Sequence, residues 1–572
     1  MTHPFEIPDI LCLICEEALP SDLARLLSTS HLFFNCAVPV VWRSLPESAP
    51  MILTRLLPNA DTYLERNLDA TLAEVQSTIN RRSITRTIQP LGGGPYAPYV
   101  KQLARHRRNR QSNIIWDRLL RLVDRRPILP NLEVLKFSLG IPSSFTVQDP
   151  ASYLSAYLSP TLVEIDHARN TRLPVGPKSL SDFALSLAQQ CPYIHTLKLS
   201  DVTRFSIMDP VESALLADSL SRFHNLRILG LGPVALDPKV LTAISSLPSL
   251  EELILDEAPD IWELPGLETN YSHLHGGFST LRRLGISSRF RLPATPTWGI
   301  VPLVQRLTSI SVRVHSNVTQ LELCAFVRDI CQCSPLITSL SLDCTSSTNY
   351  VALLAPDLIE TLGRLALQRL RLQGEQYYGS SSHWNIERFA LAFPGLDYLR
   401  LYSYYFTFED LTFIAKHMPK LQQLSMGVKI FTVWPSTEEV SLLAPAPSPS
   451  RLHFHLRIFD GSDGWDVKEV FDELPNQKSE TIVAYLHALW PGGVICEAYH
   501  RPRKGGRPGY TDQINAALRK LRELDGHGNQ AEAIPPKYIR KRAMPWLEGF
   551  SRVFIPTLSQ YNSCYPPPQL IS

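Results

Sequence analysis

The feature that most constrains this chain is a pattern of the form L-x-x-L-x-L, often led by proline, that returns through its middle. It reads PNLEVLKF from Pro130, SPTLVEID from Ser159, CPYIHTLKL from Cys191, HNLRILGL from His224, PSLEELIL from Pro248 and STLRRLGI from Ser279. It continues as RLTSISV from Arg306, SPLITSLSL from Ser334, ALQRLRL from Ala366, PGLDYLRL from Pro394 and PKLQQLSM from Pro419. The first apolar positions are Leu132, Leu162, Ile194, Leu226, Leu250, Leu281, Leu307, Ile337, Leu367, Leu396 and Leu421, and successive members differ by 24 to 32 positions. A leucine-rich chain produces one or two such runs by chance, not eleven in near-regular order.

Within each unit the apolar residues of x-L-x-L-x alternate, so they point to one side of a short strand. Between the units lie stretches such as SDFALSLAQQC, VESALLADSLSRF and ELCAFVRDICQC, with apolar residues at helical spacing and proline close by to stop the helix. One strand and one helix per unit, stacked so that neighbours share a core, is the plan of a leucine-rich-repeat solenoid. The expected fold is α/β: a horseshoe with parallel strands on its concave side and helices on its convex side. The long, irregular spacing resembles the helix-containing subfamily, and the asparagine that marks many such repeats is mostly missing, so the array is divergent.

The x positions of each strand face outward on the concave side. In the middle units they are bland: Ile228, Gly230 and Gly232, or Ser309, Ser311 and Arg313. Towards the end they become Arg369, Arg371 and Gln373, then Tyr398, Arg400 and Tyr402, followed by Tyr404 and Tyr405. Arginine and tyrosine are enriched at binding hot spots. Arg369, Arg371, Tyr398, Arg400 and Tyr402 are therefore candidate substrate-binding residues for an acidic or phosphorylated partner. A solvated charged face with aromatic packing near a cap is the competing reading of the same residues.

The first forty-odd residues follow another rule. Pro8 suits a first helical turn, and Ile10, Leu11 and Ile14 repeat at helical spacing after it. Pro20-Ser21-Asp22 breaks the chain and can open a second helix carrying Leu23, Leu26 and Leu27. A third segment, HLFFNCAVPVVWRSLP, contains Trp42 followed by Arg43-Ser44-Leu45. The order IPDILCLICEEALPSDLARLLSTSHLFFNCAVPVVWRSLPE resembles an F-box, with Ile-Pro, Ile-Leu, Leu-Pro, Asp-Leu and a closing Trp-Arg-x-Leu. It is similar to the F-box of fungal proteins in which this module precedes divergent leucine-rich repeats. It departs from that pattern where SHLFFNCAVPVV lacks a central tryptophan and where Pro39 interrupts the third helix.

The resemblance implies a three-helix unit that docks a Skp-type adaptor, and through it a substrate receptor of a cullin–RING ubiquitin ligase. Carried over by position, Pro8, Ile10, Leu11, Ile14, Leu19, Leu23 and Leu27 are candidates for the adaptor face, or else core of the small unit, with Trp42 supporting it from inside. Such a receptor is not an enzyme, because a partner transfers the ubiquitin; its substrate protein is unknown. A leucine-rich-repeat scaffold outside ubiquitin transfer is the alternative. The expected domains are an F-box at 1–46, a helical linker with a basic segment at 47–112, the repeats at 113–460, and a C-terminal cap with a partly disordered tail at 461–572.

Other signals narrow the classes. Net charge is +2, which gives no global attraction to nucleic acid or anionic lipid. The basic stretches KQLARHRRNR (Lys101 to Arg110) and RPRKGGRP (Arg501 to Pro508) are read as solvated surface, the first leading into an amphipathic helix over IIWDRLLRLVDRRP. No apolar run approaches the roughly 18 residues of a membrane span, and no secretory leader is expected. Ten cysteines spread over 572 residues do not make a secreted disulfide framework, so a cytoplasmic or nuclear setting is expected. Cys12-x-x-Cys15 has the spacing of a zinc half-site or redox pair, but no second pair or histidine partner follows, and both cysteines fit an apolar helix. Cys324, Cys331, Cys333 and Cys344 lack paired ligand spacing. Gly230-Leu-Gly232-Pro-Val-Ala235 resembles a dinucleotide fingerprint but sits inside a repeat. No metal and no cofactor is expected.

Overall fold

The computed structural model describes residues 7–45, 97–105, 129–137, 157–167, 177–199, 209–256, 276–288, 296–314, 318–344, 353–374, 386–429, 452–459, 476–491, 493–498 and 510–524, with a few single positions besides. The chain forms two compact units, one holding the described residues up to Leu197 and the other those from Lys198 onward.

The first unit opens with three helices, α1 (Pro8–Glu17), α2 (Pro20–Leu26) and α3 (His31–Trp42). Proline stands at the first turn of α1 and α2, where the missing N–H is no loss. Ser30 caps α3 by accepting a hydrogen bond from the Phe33 amide at 3.3 Å. Pro39 lies inside α3 without ending it.

Directly after α3 comes β1 (Ser44–Leu45), which pairs in parallel with β2 (Gln102–Arg105). β2 pairs with β3 (Val134–Phe137), and β3 with β4 (Glu164–His167). α4 (Pro177–Gln190) then leads to β5 (Thr196–Lys198), whose Thr196 amide donates to the Val163 carbonyl. The strand ladder therefore begins well before residue 113, the boundary expected from the leucine pattern. Around Leu103 the spacing is too sparse to read as a repeat, yet its side chain is buried like those of the later leucines. The expected helical linker is likewise corrected at its described end: residues 97–99 form a short 3₁₀ turn and 102–105 a strand. The amphipathic helix expected over 114–127 lies almost wholly outside the described residues.

The second unit repeats the same plan. Its strands are β6 (Ile228–Leu231), β7 (Glu252–Asp256), β8 (Arg283–Ser288), β9 (Ser309–Val314), β10 (Ser339–Cys344), β11 (Arg369–Gly374), β12 (Tyr398–Phe406), β13 (Gln423–Lys429), β14 (Leu452–Phe459) and β15 (Val494–Ala498). Each pairs in parallel with the next in chain order. The intervening helices are α5 (Pro210–Ser221), α6 (Pro238–Ser245), α7 (Pro296–Gly299), α8 (Val301–Val304), α9 (Gln320–Cys333), α10 (Pro356–Leu362), α11 (Ile386–Ala392), α12 (Phe408–His417), α13 (Asn476–Leu489) and α14 (Tyr510–Leu524). The ladder continues past residue 460, because α13 and β15 add a further helix–strand pair. The disordered tail expected beyond residue 524 lies outside the described residues.

All eleven first apolar positions, Leu132 through Leu421, are buried. So are the strand leucines and isoleucines three residues on, from Leu135 to Leu424. The repeated pattern is thus the core itself. The chain carries a leucine-rich-repeat-type array.

Short side chains tie each repeat to the one before it. Thr161 Oγ1 donates to the Leu132 carbonyl at 3.1 Å, Thr280 Oγ1 to Leu250 at 2.8 Å, and Thr338 Oγ1 to Thr308 at 3.3 Å. Cys191 Sγ donates to the Ser159 carbonyl at 3.1 Å. Each bond runs from one repeat to the backbone of the one before, satisfying carbonyls at the entry to the strands.

Helix starts obey the same accounting. Asp237 Oδ1 accepts from the Lys239 and Val240 amides at 2.9 and 3.3 Å, and from the Ser213 hydroxyl on α5. Asp237→Ala is expected to cost about 1–2 kcal/mol, the usual loss for an N-cap, and urea denaturation measures it. A loss under about 0.5 kcal/mol would show that the cap carries no weight.

Candidate functional site

Two surfaces combine exposure with residue types that bind, one in each unit. The N-terminal surface lies on α1. Leu11 and Cys15, one helical turn apart, point inward and join Leu23, Cys36, Ala37 and Val41 in the core of the triplet. Leu27 and Trp42 pack half-buried against that core. Pro8 is exposed, and beside it Ile10 and Ile14 each remain 37% exposed, Leu13 62% and Leu19 65%. The helix is therefore apolar on two faces, and its own unit covers only one. Of the seven sequence candidates, Leu11 and Leu23 are core; Pro8, Ile10, Ile14 and Leu19 stand on the exposed side. Leu13 was missed, although its spacing from Ile10 and Ile14 was the available signal.

The Cys12-x-x-Cys15 pair is divided by the same geometry. Cys12 is exposed and Cys15 buried. Cys36, on α3, donates to the Pro8 carbonyl at 3.7 Å, and burial together with hydrogen bonding to Cys12 pushes its thiol up to about 11. Burial pushes Cys191, Cys344 and Cys496 up to about 12. Thiolate is the reactive form, so these buried thiols are inert at neutral pH. Brief treatment of the native protein with N-ethylmaleimide should label Cys12 and spare Cys191, Cys344 and Cys496 in peptide mass spectra. Rapid labelling of those three would contradict their placement. Cys331 donates to the Thr361 carbonyl at 3.4 Å, a structural contact between neighbouring helices. Among the described residues, no group of three or more His, Cys, Asp or Glu side chains is arranged to hold a metal ion.

The dinucleotide-like run divides between a strand and a turn. Gly230 belongs to β6, and residues 233–236 form a 3₁₀ turn. The following helix N-terminus already holds the Asp237 carboxylate, where a pyrophosphate would have to sit. A side chain at Gly230 would meet Lys198 at 3.2 Å, so this glycine answers a strand–strand approach.

The second surface is the outward face of β9 to β12, where register aligns three rows. One row runs Ser309, Ser339, Arg369, Tyr398; the next runs Ser311, Ser341, Arg371, Arg400; the third runs Arg313, Asp343, Gln373, Tyr402. Arg369 places its guanidinium carbon 5.2 Å from the centroid of the Tyr398 ring, a cation–π contact. Arg371 donates from Nη2 to Gln373 Oε1 at 3.0 Å, which fixes the plane of its guanidinium. Arg313 donates to the largely buried Asp343 carboxylate at 3.1 Å. Burial, then the neighbouring Arg400, lowers the Arg371 pKa. Arg369 is exposed, while Arg371, Tyr398 and Arg400 are half-buried. The side chain of Tyr402 lies outside the described residues, as do those of Tyr404 and Tyr405.

Elsewhere on the strand face, arginines meet carboxylates. Arg227 pairs with Glu251 at 2.6 Å and Arg283 with Glu252 at 2.8 Å. On β11 and β12 the in-register neighbours of Arg371 are Ser341 and Arg400, and the Asp343 carboxylate also acts on Arg371. The sequence order identified the arginines and tyrosines. It did not reveal that Asp343 is committed to Arg313, since that needs the register.

No protein-family model matches the chain, and no curated protein matches it. Among solved structures, the leucine-rich-repeat-containing protein LegL7 from Legionella pneumophila aligns with 61% of this chain and 97% of its own, at 16% identity and a TM-score of 0.32. A protein from Bacteroides fragilis aligns with 53% of this chain and 83% of its own, at 12% identity and a TM-score of 0.27. At such TM-scores the likeness carries no argument, and the repeat array stands on its own strand ladder and buried leucines. No described helix is long and apolar enough to cross a membrane.

Proposed function

We propose that this chain is a substrate receptor of a cullin–RING ubiquitin ligase: its helical triplet acts as an F-box on a Skp-type adaptor, and its strand face holds a substrate protein. The observation that carries this reading is α1, which fills its own core with Leu11 and Cys15 yet leaves Ile10, Leu13 and Ile14 exposed, with Leu19 exposed at the start of α2. An apolar surface of this kind on a small helical unit marks a partner site. The repeat array supplies the second requirement, an extended face bearing hot-spot residue types. The chain then contributes proximity, raising the effective concentration of a substrate lysine near the loaded enzyme, and supplies no catalytic group itself. On this reading it works in the cytoplasm or nucleus.

Co-expression with a Skp-type adaptor tests the proposal. The wild-type chain should co-purify with the adaptor, and Leu13→Asp plus Ile14→Asp should abolish this while leaving the melting temperature unchanged. Leu11→Asp is the wrong probe, because it buries a charge in the triplet core and reports folding. If the adaptor is not retained, or is retained equally by the double variant, the F-box reading fails. The coarser alternative, a protein-binding scaffold outside ubiquitin transfer, would then stand on the strand face alone.

A further inference from the structure

We infer that Cys12 and Cys36 form a modification site in the N-terminal triplet: a hydroperoxide oxidises the exposed Cys12, and Cys36 closes onto it as a reversible disulfide that ties α1 to α3. Such a site needs neither adaptor docking nor the strand face.

Three observations carry it. First, the Cys36 sulfur reaches from α3 to within 3.7 Å of the carbonyl oxygen of Pro8, the opening residue of α1. That carbonyl is the one that accepts the Cys12 amide in a regular helix. A helical side chain leans back over the turn that precedes it, so the Cys12 sulfur is carried to the same place. The two thiols are hydrogen-bonded to each other there. Second, access is one-sided. Cys12 is exposed and Cys36 is only 5% exposed, so an oxidant in solution meets Cys12 first. Third, Cys15, the other thiol of α1, sits in the core with Leu11 and Leu23. By the same lean it lies over the turn that begins at Leu11, whereas Cys36 sits at the turn that begins at Pro8.

A hydroperoxide is the only co-reactant required. The Cys12 sulfur attacks a peroxide oxygen: an S–O bond forms, the O–O bond breaks, and the departing oxygen leaves as water with the thiol proton. The Cys36 sulfur then attacks the sulfur of the Cys12 sulfenic acid. An S–S bond forms, the S–O bond breaks, and the released hydroxide takes the Cys36 proton to give a second water. The two thiols have lost two electrons, and hydrogen peroxide has been reduced to two waters. Burial keeps Cys36 inert towards reagents in solution, but the sulfenic acid on Cys12 forms in contact with it, and proximity replaces reagent concentration. A dithiol reductant reopens the bond by exchange. Once closed, the bond restrains α1, the helix that carries Ile10, Leu13 and Ile14 on its exposed side.

The test uses the reduced full-length protein, treated with a small molar excess of hydrogen peroxide, quenched with N-ethylmaleimide and digested without reductant. Peptide mass spectra should show a Cys12–Cys36 cross-linked pair, lighter than the sum of its two peptides by two hydrogens. Maleimide on Cys12 should fall severalfold, and dithiothreitol should remove the cross-link and restore the labelling. Cys36→Ser should leave Cys12 as a sulfenic acid that dimedone traps, and Cys12→Ser should leave Cys36 unmodified. Cys15→Ala should still form the cross-link. The wild-type peptide map needs no substitution, so it decides the question even where a variant fails to fold. Amide hydrogen exchange across α1 should slow severalfold in the oxidised protein. Peroxide that leaves Cys12 labelling unchanged overturns the proposal. So does loss of labelling with Cys12 recovered as a sulfinic acid, in a disulfide with Cys15, or in a disulfide between two molecules. Exchange across α1 that does not slow on oxidation overturns it as well. No adaptor is present in any arm, so failure here leaves the F-box reading untouched, and failed adaptor co-purification leaves the cysteine pair untouched.

Discussion

Phe326→Ala is expected to destabilise the second unit by about 3–5 kcal/mol, the range for truncating a fully buried phenylalanine. Phe326 lies on α9 with no exposure, and its ring meets Trp298 edge-on, with centroids 4.9 Å apart and planes at 75°. Alanine there forfeits the transfer free energy of the ring, opens a cavity and removes the aromatic contact, itself worth about 0.5–1.5 kcal/mol. Each repeat contacts only its neighbours, so the damage acts through both flanking repeats. The measurement is the urea midpoint by circular dichroism, expected to fall. Leu321→Ala serves as the control on the same helix. Leu321 is 83% exposed, and its truncation should change stability by less than about 0.5 kcal/mol. Equal effects of the two substitutions would mean that α9 does not pack as described.

Asn515→Leu is expected to cost about 1–3 kcal/mol, because it removes both hydrogen bonds to part-buried backbone groups of Cys496. Asn515 on α14 accepts from the Cys496 amide through Oδ1 at 2.7 Å and donates from Nδ2 to the Cys496 carbonyl at 2.6 Å. The side-chain amide thus stands in for the peptide group of a further strand. β15 is the last strand of the described ladder, and an open edge of this kind invites pairing with another chain. Helix α14 is held over β15 by this bond and by burial of Ile514 and Leu518. Hydrogen exchange at the Cys496 amide should accelerate in the variant, and the protein should aggregate more readily. Retention of full protection at that amide would show that the Asn515 bonds do not close the edge.

The readable and unreadable parts of the chain divide along physical lines. The repeat was legible because a parallel strand buried on one side must alternate, and the same burial recurs in unit after unit. Every first leucine or isoleucine of the eleven repeat units is buried. The ends of the array were not legible. Leu103 and Leu452 are as buried as the others, but the residues around them depart from the pattern, and parallel pairing across dozens of residues leaves no local mark.

At the N-terminus, apolar spacing identified a helical unit but could not sort its residues. Leu11 and Ile14 look alike in sequence, yet one is core and the other surface, because α2 and α3 cover only one side of α1. Cys12 and Cys15 separate for the same reason. On the strand face, the arginines could be named in order. Which of them has a carboxylate in register could not.

The sequence by itself determined that this chain stacks strand–helix units on a leucine core and carries arginine and tyrosine on the outward positions near its end. Burial periodicity and residue chemistry are local properties, written into every unit. Only the tertiary structure decided that Arg371 lies beside Arg400 while Asp343 is taken by Arg313, and that Leu13 rather than Leu11 faces outward. Those facts depend on strand register and helix packing, which bring together residues about thirty or more positions apart and so cannot be read from any one stretch of the chain.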